Sequence, residues 1–211
     1  MEAARIAELL EPFLQKPKSG REELSAAQLD QLSDYLELLL RWNEKTNLTS
    51  VREPEEIVKR HFGESLFLAS AVSGEAFATA IDVGSGAGFP GIPLKIYAPQ
   101  IAVTLVESQN KKATFLKEVI RKLILTNIDV FSRRAEELQQ KTDLVTLRAV
   151  EHFDDVLPVA AGLVDSKGRL ALLIGSGQVA VAGKLLHGFE ISTVPVPESR
   201  ERVLLIARNQ T

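Results

Sequence analysis

The sequence predicts an α/β fold: a mostly parallel, seven-stranded sheet with an antiparallel hairpin at its C-terminal end and a helical extension at its N-terminal end. Three observations predict it. From residue 79 onward, short β-branched apolar runs alternate with stretches of helical periodicity, an order that winds a parallel sheet right-handedly. The first run, Ala80-Ile81-Asp82-Val83, feeds directly into Gly84, Gly86, Gly88 and Gly91. The last two runs are joined by residues 195–202 with no helix between them, so they form a hairpin.

The elements follow in order. Residues 3–15 carry Ile6, Leu9, Leu10, Phe13 and Leu14 at helical spacing, and Pro17 with Gly20 breaks the run. Ser25 and Gln28 make a capping box for a second helix, whose stripe runs through Leu29, Leu32, Leu36, Leu39 and Leu40 to Trp42. Pro54, followed by Glu55 and Glu56, starts a third helix reaching about Ala71, with Gly63 as its weak point. Strands are expected at 79–83, 102–106, 128–131, 143–147, 169–174, 188–194 and 202–208, and helices at 90–97, 109–124, 151–164 and 178–186. The chain thus divides into a helical cap, 1–75, and an α/β ligand-binding domain, 76–211.

At 211 residues the chain is long enough to bury a core without metal or disulfide staples. It has no cysteine, which excludes disulfides, thiolate metal sites and a cysteine nucleophile; no metal centre is expected. The N-terminal stretch carries Glu8 and Glu11 and lacks a signal-peptide pattern, and no segment approaches the roughly 18 uncharged apolar residues of a membrane span. A cytoplasmic location without membrane association is the expectation. Lacking an exposed heptad or a large apolar patch, the chain is expected to be a monomer. Its net charge of −3 does not advertise nucleic acid, so any polyanion must meet local basic patches.

The glycines decide the ligand class. At alternate positions they let the backbone turn through positive φ and bring bare N–H groups against a ligand. The second apolar run ends in Glu107, about 20 residues on, where an acid suits a ribose diol. Gly86-x-Gly88-x-x-Gly91 satisfies the dinucleotide spacing. In that fold, however, the first glycine closes the first strand, and here that residue is Gly84. Counted from Gly84, Phe89 stands where a dinucleotide site wants its third glycine. The register therefore favours S-adenosylmethionine over a nicotinamide dinucleotide.

The segment Asp82-Val83-Gly84-Ser85-Gly86-Ala87-Gly88-Phe89-Pro90-Gly91-Ile92-Pro93-Leu94 resembles the loop of the bacterial ribosomal RNA small-subunit methyltransferase G family, the glucose-inhibited division protein B proteins. Trp42-Asn43, Asn47-Leu48-Thr49, His61-Phe62 and Ser65-Leu66 match that family's N-terminal signatures. Leu105-Val106-Glu107-Ser108, Lys111-Lys112, Phe115-Leu116, Arg134-Ala135-Glu136 and Arg148-Ala149-Val150 match those downstream, over about residues 30–175. The resemblance implies a class I, Rossmann-like methyltransferase that uses S-adenosylmethionine to methylate N7 of one guanine in 16S rRNA. Its partner would be the small ribosomal subunit or an assembly intermediate. Position by position it implies cofactor contacts from Gly84, Phe89, Glu107, Ala135, Glu136 and Arg148; Asp82, Gly86, Gly88 and Ser108 are further candidate cofactor contacts read from the glycine loop and the end of the second strand. The resemblance implies catalytic roles for Arg148, Asn47 and His61. Glu64 stands where the family pattern has Asp, and Leu147 where it has Ser.

Each residue also has a plainer reading. Arg148 reaches the cofactor or an RNA phosphate, or pairs at the surface with Glu151 or Asp154. Asp82 serves the cofactor or only organises the loop. Phe89 packs on the cofactor, fills the helix–sheet interface, or stacks the target base. Ala135-Glu136 contacts adenine or starts a helix; Glu107 binds ribose or caps the next helix. Asn43, Asn47 and Thr49 line a base pocket or hold a local turn. His61 and Ser65 share one helix face. Lys111, Lys112, Lys117, Arg121, Lys122, Arg133, Arg134, Arg52, Lys59 and Arg60 are phosphate contacts or a solvated face.

The chemistry narrows the acceptor. Cytosine C5 methylation requires a cysteine nucleophile, and there is none. Residues 143–150 hold no Pro-Pro-aromatic element of the kind exocyclic-amine enzymes carry. Guanine N7 offers a lone pair and no proton, so it needs no general base. A nicotinamide-dependent oxidoreductase and a non-catalytic RNA-binding or assembly factor remain the alternatives.

Overall fold

A computed structural model describes residues 1–14, 23–74 and 76–210. Its strands are β1 (Thr79–Val83), β2 (Ala102–Val106), β3 (Ile128–Phe131), β4 (Thr142–Arg148), β5 (Val164–Gly175), β6 (Phe189–Pro195) and β7 (Arg202–Asn209). They form one sheet in the order β3-β2-β1-β4-β5-β7-β6. Pairing is parallel from β3 across to β5, and β7 lies antiparallel between β5 and β6. The sheet and C-terminal hairpin are those the sequence predicts.

Eight α-helices flank the sheet among the described residues: α1 (Ala3–Leu10), α2 (Ala26–Asn43), α3 (Pro54–Ile57), α4 (Glu64–Val72), α5 (Gly91–Tyr97), α6 (Asn110–Lys122), α7 (Phe153–Gly162) and α8 (Val179–Leu185). Side chains alternate across each strand. On β4, Leu144 faces the core that includes α1–α6, while Val145 and Leu147 face the core with α7 and α8. The N-terminal helices share their core with the sheet: Ile6, Leu36 and Phe62 belong to the same buried cluster as Leu105, Leu116 and Leu204. The Ser25–Gln28 capping box is present, each residue's side chain bonding the other's backbone N–H.

Three boundaries differ from expectation. The first helix stops at Leu10, five residues short of 15, and tightens into a 3₁₀ turn over Glu11–Phe13. Pro12 is the cause, since it lacks the N–H that would continue the ladder. The break expected at Pro17 and Gly20 lies outside the described residues. The third helix runs from α3 to α4 through a π-helical segment, Val58–Gly63. At Gly63 a Cβ would sit 2.6 Å from Phe13 Cδ2, so the residue must be glycine for α1's end to pack there. Finally, β5 begins at Val164 rather than 169, because an irregularity between Thr142 and Leu144 lets Val164 join the ladder.

Candidate active site

A cavity of about 960 Å³ opens along the carboxyl ends of the strands, where ligands bind in such sheets. One wall is the glycine loop. Gly84 takes φ +68° and Gly86 φ +57°, conformations that favour residues without a Cβ. A Cβ on Gly84 would also strike Val150 Cγ1 at 2.8 Å. Tyr35 of α2 braces the loop by donating its hydroxyl to the Ala87 carbonyl, and its ring stacks with Phe62 and Phe89.

Glu107, at the tip of β2, is buried and faces the cavity. Its Oε2 accepts from Gly86 N at 2.9 Å and its Oε1 from Gln109 N at 2.7 Å. Each oxygen keeps a lone pair for a further donor such as a ribose hydroxyl. Ser108, Ala135 and Glu136 line the same end, as do Lys112, Arg133 and Arg134.

Asp82 lies below the loop. It is 1% exposed, does not line the cavity, and accepts from Gly91 N at 3.1 Å and Thr146 Oγ1 at 2.8 Å. Desolvation pushes its carboxyl up to about 6 against the lowering effect of those bonds. Its bonds tie the end of the glycine loop at Gly91 to β4 at Thr146. Gly88 likewise stays behind the wall, where a Cβ would meet Tyr35 Oη at 2.5 Å and Ile92 Cδ1 at 2.6 Å.

The far half of the cavity is built by long-range contacts. Arg148, at the end of β4, pairs with neither Glu151 nor Asp154. Its Nη2 donates to Glu64 Oε2 at 3.1 Å and to the Arg60 carbonyl at 2.9 Å. Glu64 is 4% exposed and is also gripped by Arg202 of β7 at 2.7 and 2.5 Å. Burial lowers the Arg148 guanidinium's affinity for its proton, with Glu64 opposing that effect. Its Nε, buried, has no partner. Leu147, where the family pattern has Ser, is fully buried in the cluster shared with α7 and α8 and does not itself line the cavity.

His61 lines the cavity from the π-helical segment and stacks on Phe89 with ring centroids 5.0 Å apart. Burial, reinforced by Arg148, Arg60 and Arg202, drives the imidazole down to about 2, so it is neutral. Its Nε2 lies 2.7 Å from Thr49 Oγ1. Asn43 shapes the loop that carries Thr49: its Oδ1 accepts from Leu48 N and Thr49 N, and its Nδ2 donates to the Thr49 carbonyl. Leu48, Thr49, Ser50 and Val51 line the cavity, but Asn47 does not. Asn47 is exposed and accepts from Arg52 Nη2 at 2.9 Å; the loop's turn carries it away from the site. Ser65 turns back to the His61 carbonyl at 2.6 Å.

The structure thus gathers Gly84, Gly86, Phe89, Glu107, Ser108, Ala135, Glu136, Arg148 and His61 about one cavity, with Asp82 and Gly88 behind it and Asn47 outside. Sequence reasoning missed Arg202, Tyr35 and the counter-ion role of Glu64. Glu64 and Arg202 are 138 positions apart, and no periodicity joins them. The basic cluster divides: Lys112 turns to the cavity, while Lys122 pairs with Asp34 of α2 at 3.3 Å.

A family model described as GidB, rRNA small subunit methyltransferase G, matches residues 28–183. The ribosomal RNA small subunit methyltransferase G of Desulfitobacterium hafniense (strain Y51) is 44% identical over 160 residues, 73% of this chain and 66% of its own length. That of Listeria monocytogenes serotype 4b (strain CLIP80459) is 36% identical over 205 residues, 89% of this chain and 86% of its own. Among solved structures, the fold is similar to ribosomal protein L11 methylase from Lactobacillus delbrueckii subsp. bulgaricus (TM-score 0.60, 16% identity, 72% of this chain and 79% of that one). It is also similar to magnesium protoporphyrin IX methyltransferase from Synechocystis PCC 6803 with bound SAM (TM-score 0.60, 16% identity, 83% and 97%).

Proposed function

The chain belongs to the ribosomal RNA small subunit methyltransferase G family, and on that premise we propose that it transfers a methyl group from S-adenosylmethionine to N7 of a guanine in 16S rRNA. The observation that carries this reading is one cavity joining two chemistries: a glycine-and-carboxylate cradle at one end and a buried guanidinium and imidazole at the other. The cradle fits the cofactor. At Gly84 a Cβ would collide with Val150, so that turn must be glycine, and Glu107 keeps acceptor capacity on both oxygens.

S-adenosylmethionine, when bound, supplies an electrophilic methyl group on a sulfonium. The protein's part is position and exclusion of water. Glu107 would take the ribose, and Ala135 with Glu136 the adenine. Gly84 and Gly86 would give the donor close backbone approach beside Phe89. Because guanine N7 carries no proton, no general base is required, and His61 is unsuited to be one: burial and the nearby arginines lower its pKa to about 2, and one nitrogen is held by Thr49. Arg148 serves as a fixed donor rather than a proton acceptor. Lys112, Arg60, Arg133, Arg134 and Arg200 on the cavity walls would meet the RNA phosphates.

The family membership sets aside the oxidoreductase reading. We assign residues 1–75 as the cap and 76–211 as the transfer domain, acting as a monomer in the cytoplasm on the small subunit or its assembly intermediate. No helix among the described residues is long and apolar enough to cross a membrane. The test is transfer of labelled methyl to small subunits from cells lacking the modification, with the product mapped by N7-specific strand cleavage. One labelled guanine is expected, and Arg148→Ala should lower kcat/KM at least about a hundredfold with an unchanged circular dichroism spectrum. Tight S-adenosylhomocysteine binding without any transfer would make the protein a non-catalytic factor.

A further inference from the structure

Resting on that reading, we propose that the end of α2 carries a second nucleotide site, separate from the methyl-transfer cavity: a base of the rRNA strand beside the target guanine stacks on Trp42, and its phosphate meets Arg41 and Lys45. The site grips the strand while the target base enters the transfer cavity.

A cavity of about 310 Å³ lies at the end of α2, lined by Arg41, Trp42, Lys45 and Thr46. None of these four lines the transfer cavity. Arg41 and Lys45 are exposed and Trp42 is half-buried. The indole is anchored on one side: its Nε1 donates to Glu118 of α6 at 3.1 Å, and Phe115 meets the ring at 61°. That is an edge contact, and among the described residues no ring lies flat against either face of the indole. A tryptophan with its N–H bonded and its ring partly in water is the arrangement aromatic contact sites use. Arg41 reaches Glu118 at only 3.5 Å, and Lys45 has no ion-pair partner among the described residues. Glu44, exposed beside them, does not line the cavity.

A ring flanked by cations fits a nucleotide, since every base has a π-face to stack and every phosphate a charge to neutralise. An acidic peptide would use the cations and leave the indole idle. Position ties the site to the target base. Thr46 lines this cavity, and Leu48, Thr49, Ser50 and Val51 line the transfer cavity. Leu48 N donates to the Thr46 carbonyl at 2.7 Å and to Asn43 Oδ1 at 2.9 Å, so one tight turn carries residues of both. Exposed Arg52 grips the same turn, donating to the Asn43 carbonyl at 2.6 Å and to Asn47 Oδ1 at 2.9 Å. On α6, Lys112 lines the transfer cavity and Glu118 holds Trp42, six residues or about 9 Å further along the helix. At about 3.4 Å per stacked nucleotide, that is a step of roughly three nucleotides.

The experiment uses the full chain, in which Trp42 is the one tryptophan and so the one source of indole emission. A short oligouridylate should quench that emission by about half at saturation, and an abasic ribose-phosphate oligomer of equal length should not. Lys45→Glu should abolish the quenching and leave S-adenosylhomocysteine affinity unchanged. With small subunits as substrate, Lys45→Glu should raise KM about tenfold at unchanged kcat, the signature of binding lost equally from ground and transition states. Trp42→Phe keeps a ring and should stay within about threefold of wild type in KM, whereas Trp42→Leu should raise it at least about tenfold with an unchanged circular dichroism spectrum. Absence of quenching overturns the proposal, as does equal quenching by the abasic oligomer or an unchanged KM in Lys45→Glu. A raised KM in Lys45→Glu without quenching also overturns it, since the cation would then meet a ribosomal protein. Failure of wild type to methylate any subunit overturns the functional reading, while the titration still reports whether Trp42 takes a base.

Discussion

At the scale of single residues, the site is governed by what burial does to ionisable groups. Asp82 shows it without ambiguity of sign. Its carboxyl is raised from 3.8 to about 6 in the fold, so between those values the native state holds a proton that the unfolded chain has lost. That contribution is fully present below about pH 4 and disappears as pH rises through 6, a loss of about 3 kcal/mol by pH 7. Asp82→Asn can keep both partners, accepting from Gly91 N and donating to the Thr146 hydroxyl. It should therefore flatten the fall in stability between pH 4 and 7, measured as urea midpoints across that range. A fall of the same size in the variant would show that Asp82 is not its source. The sequence left Asp82 two readings, a cofactor contact or an organiser of the loop. Its contacts with Gly91 N and Thr146 Oγ1 are legible only in the fold, because Thr146 lies 64 positions away.

At the scale of elements, the strand–loop–helix unit at residues 79–97 is the part most tightly specified. Gly88 combines φ +92° with side chains crowded against its α-carbon, so Gly88→Ala carries backbone strain and a clash with Tyr35. It should weaken S-adenosylhomocysteine binding at least about tenfold by calorimetry, because the loop cannot close on α2. Gly177→Ala meets nothing within 4 Å and should bind as wild type does. The strands β1, β2 and β3 run over the residues their apolar patterns predict, since local alternation and a flanking turn suffice to set them. The π-helical segment between α3 and α4 was not legible. It arises where Gly63 meets Phe13 of another element, and it brings the Arg60 carbonyl to Arg148.

At the scale of the whole molecule, the helices of the first 75 residues are not separately cored. Trp42, the one tryptophan, packs edge-on to Phe115 of α6 with centroids 5.5 Å apart and donates to Glu118 at 3.1 Å. Glu64 of α4 is clamped by arginines from β4 and β7. With one apolar cluster spanning both parts, unfolding should be a single cooperative step. Tryptophan fluorescence, which reports α2 on α6, and far-ultraviolet circular dichroism should give coincident denaturant transitions. An earlier fluorescence transition would mean the helices detach on their own.

Periodicity and the glycine spacing predicted the class of fold, the residues most of its strands occupy, the hairpin and the glycine turn after the first strand, because each of those rests on residues near one another in the chain. The acceptor end rests on pairings over long separations, Arg148 with Glu64 across 84 positions and Arg202 with Glu64 across 138. Such contacts leave no periodic trace. They exist only because a buried carboxylate must find its cations wherever packing has put them.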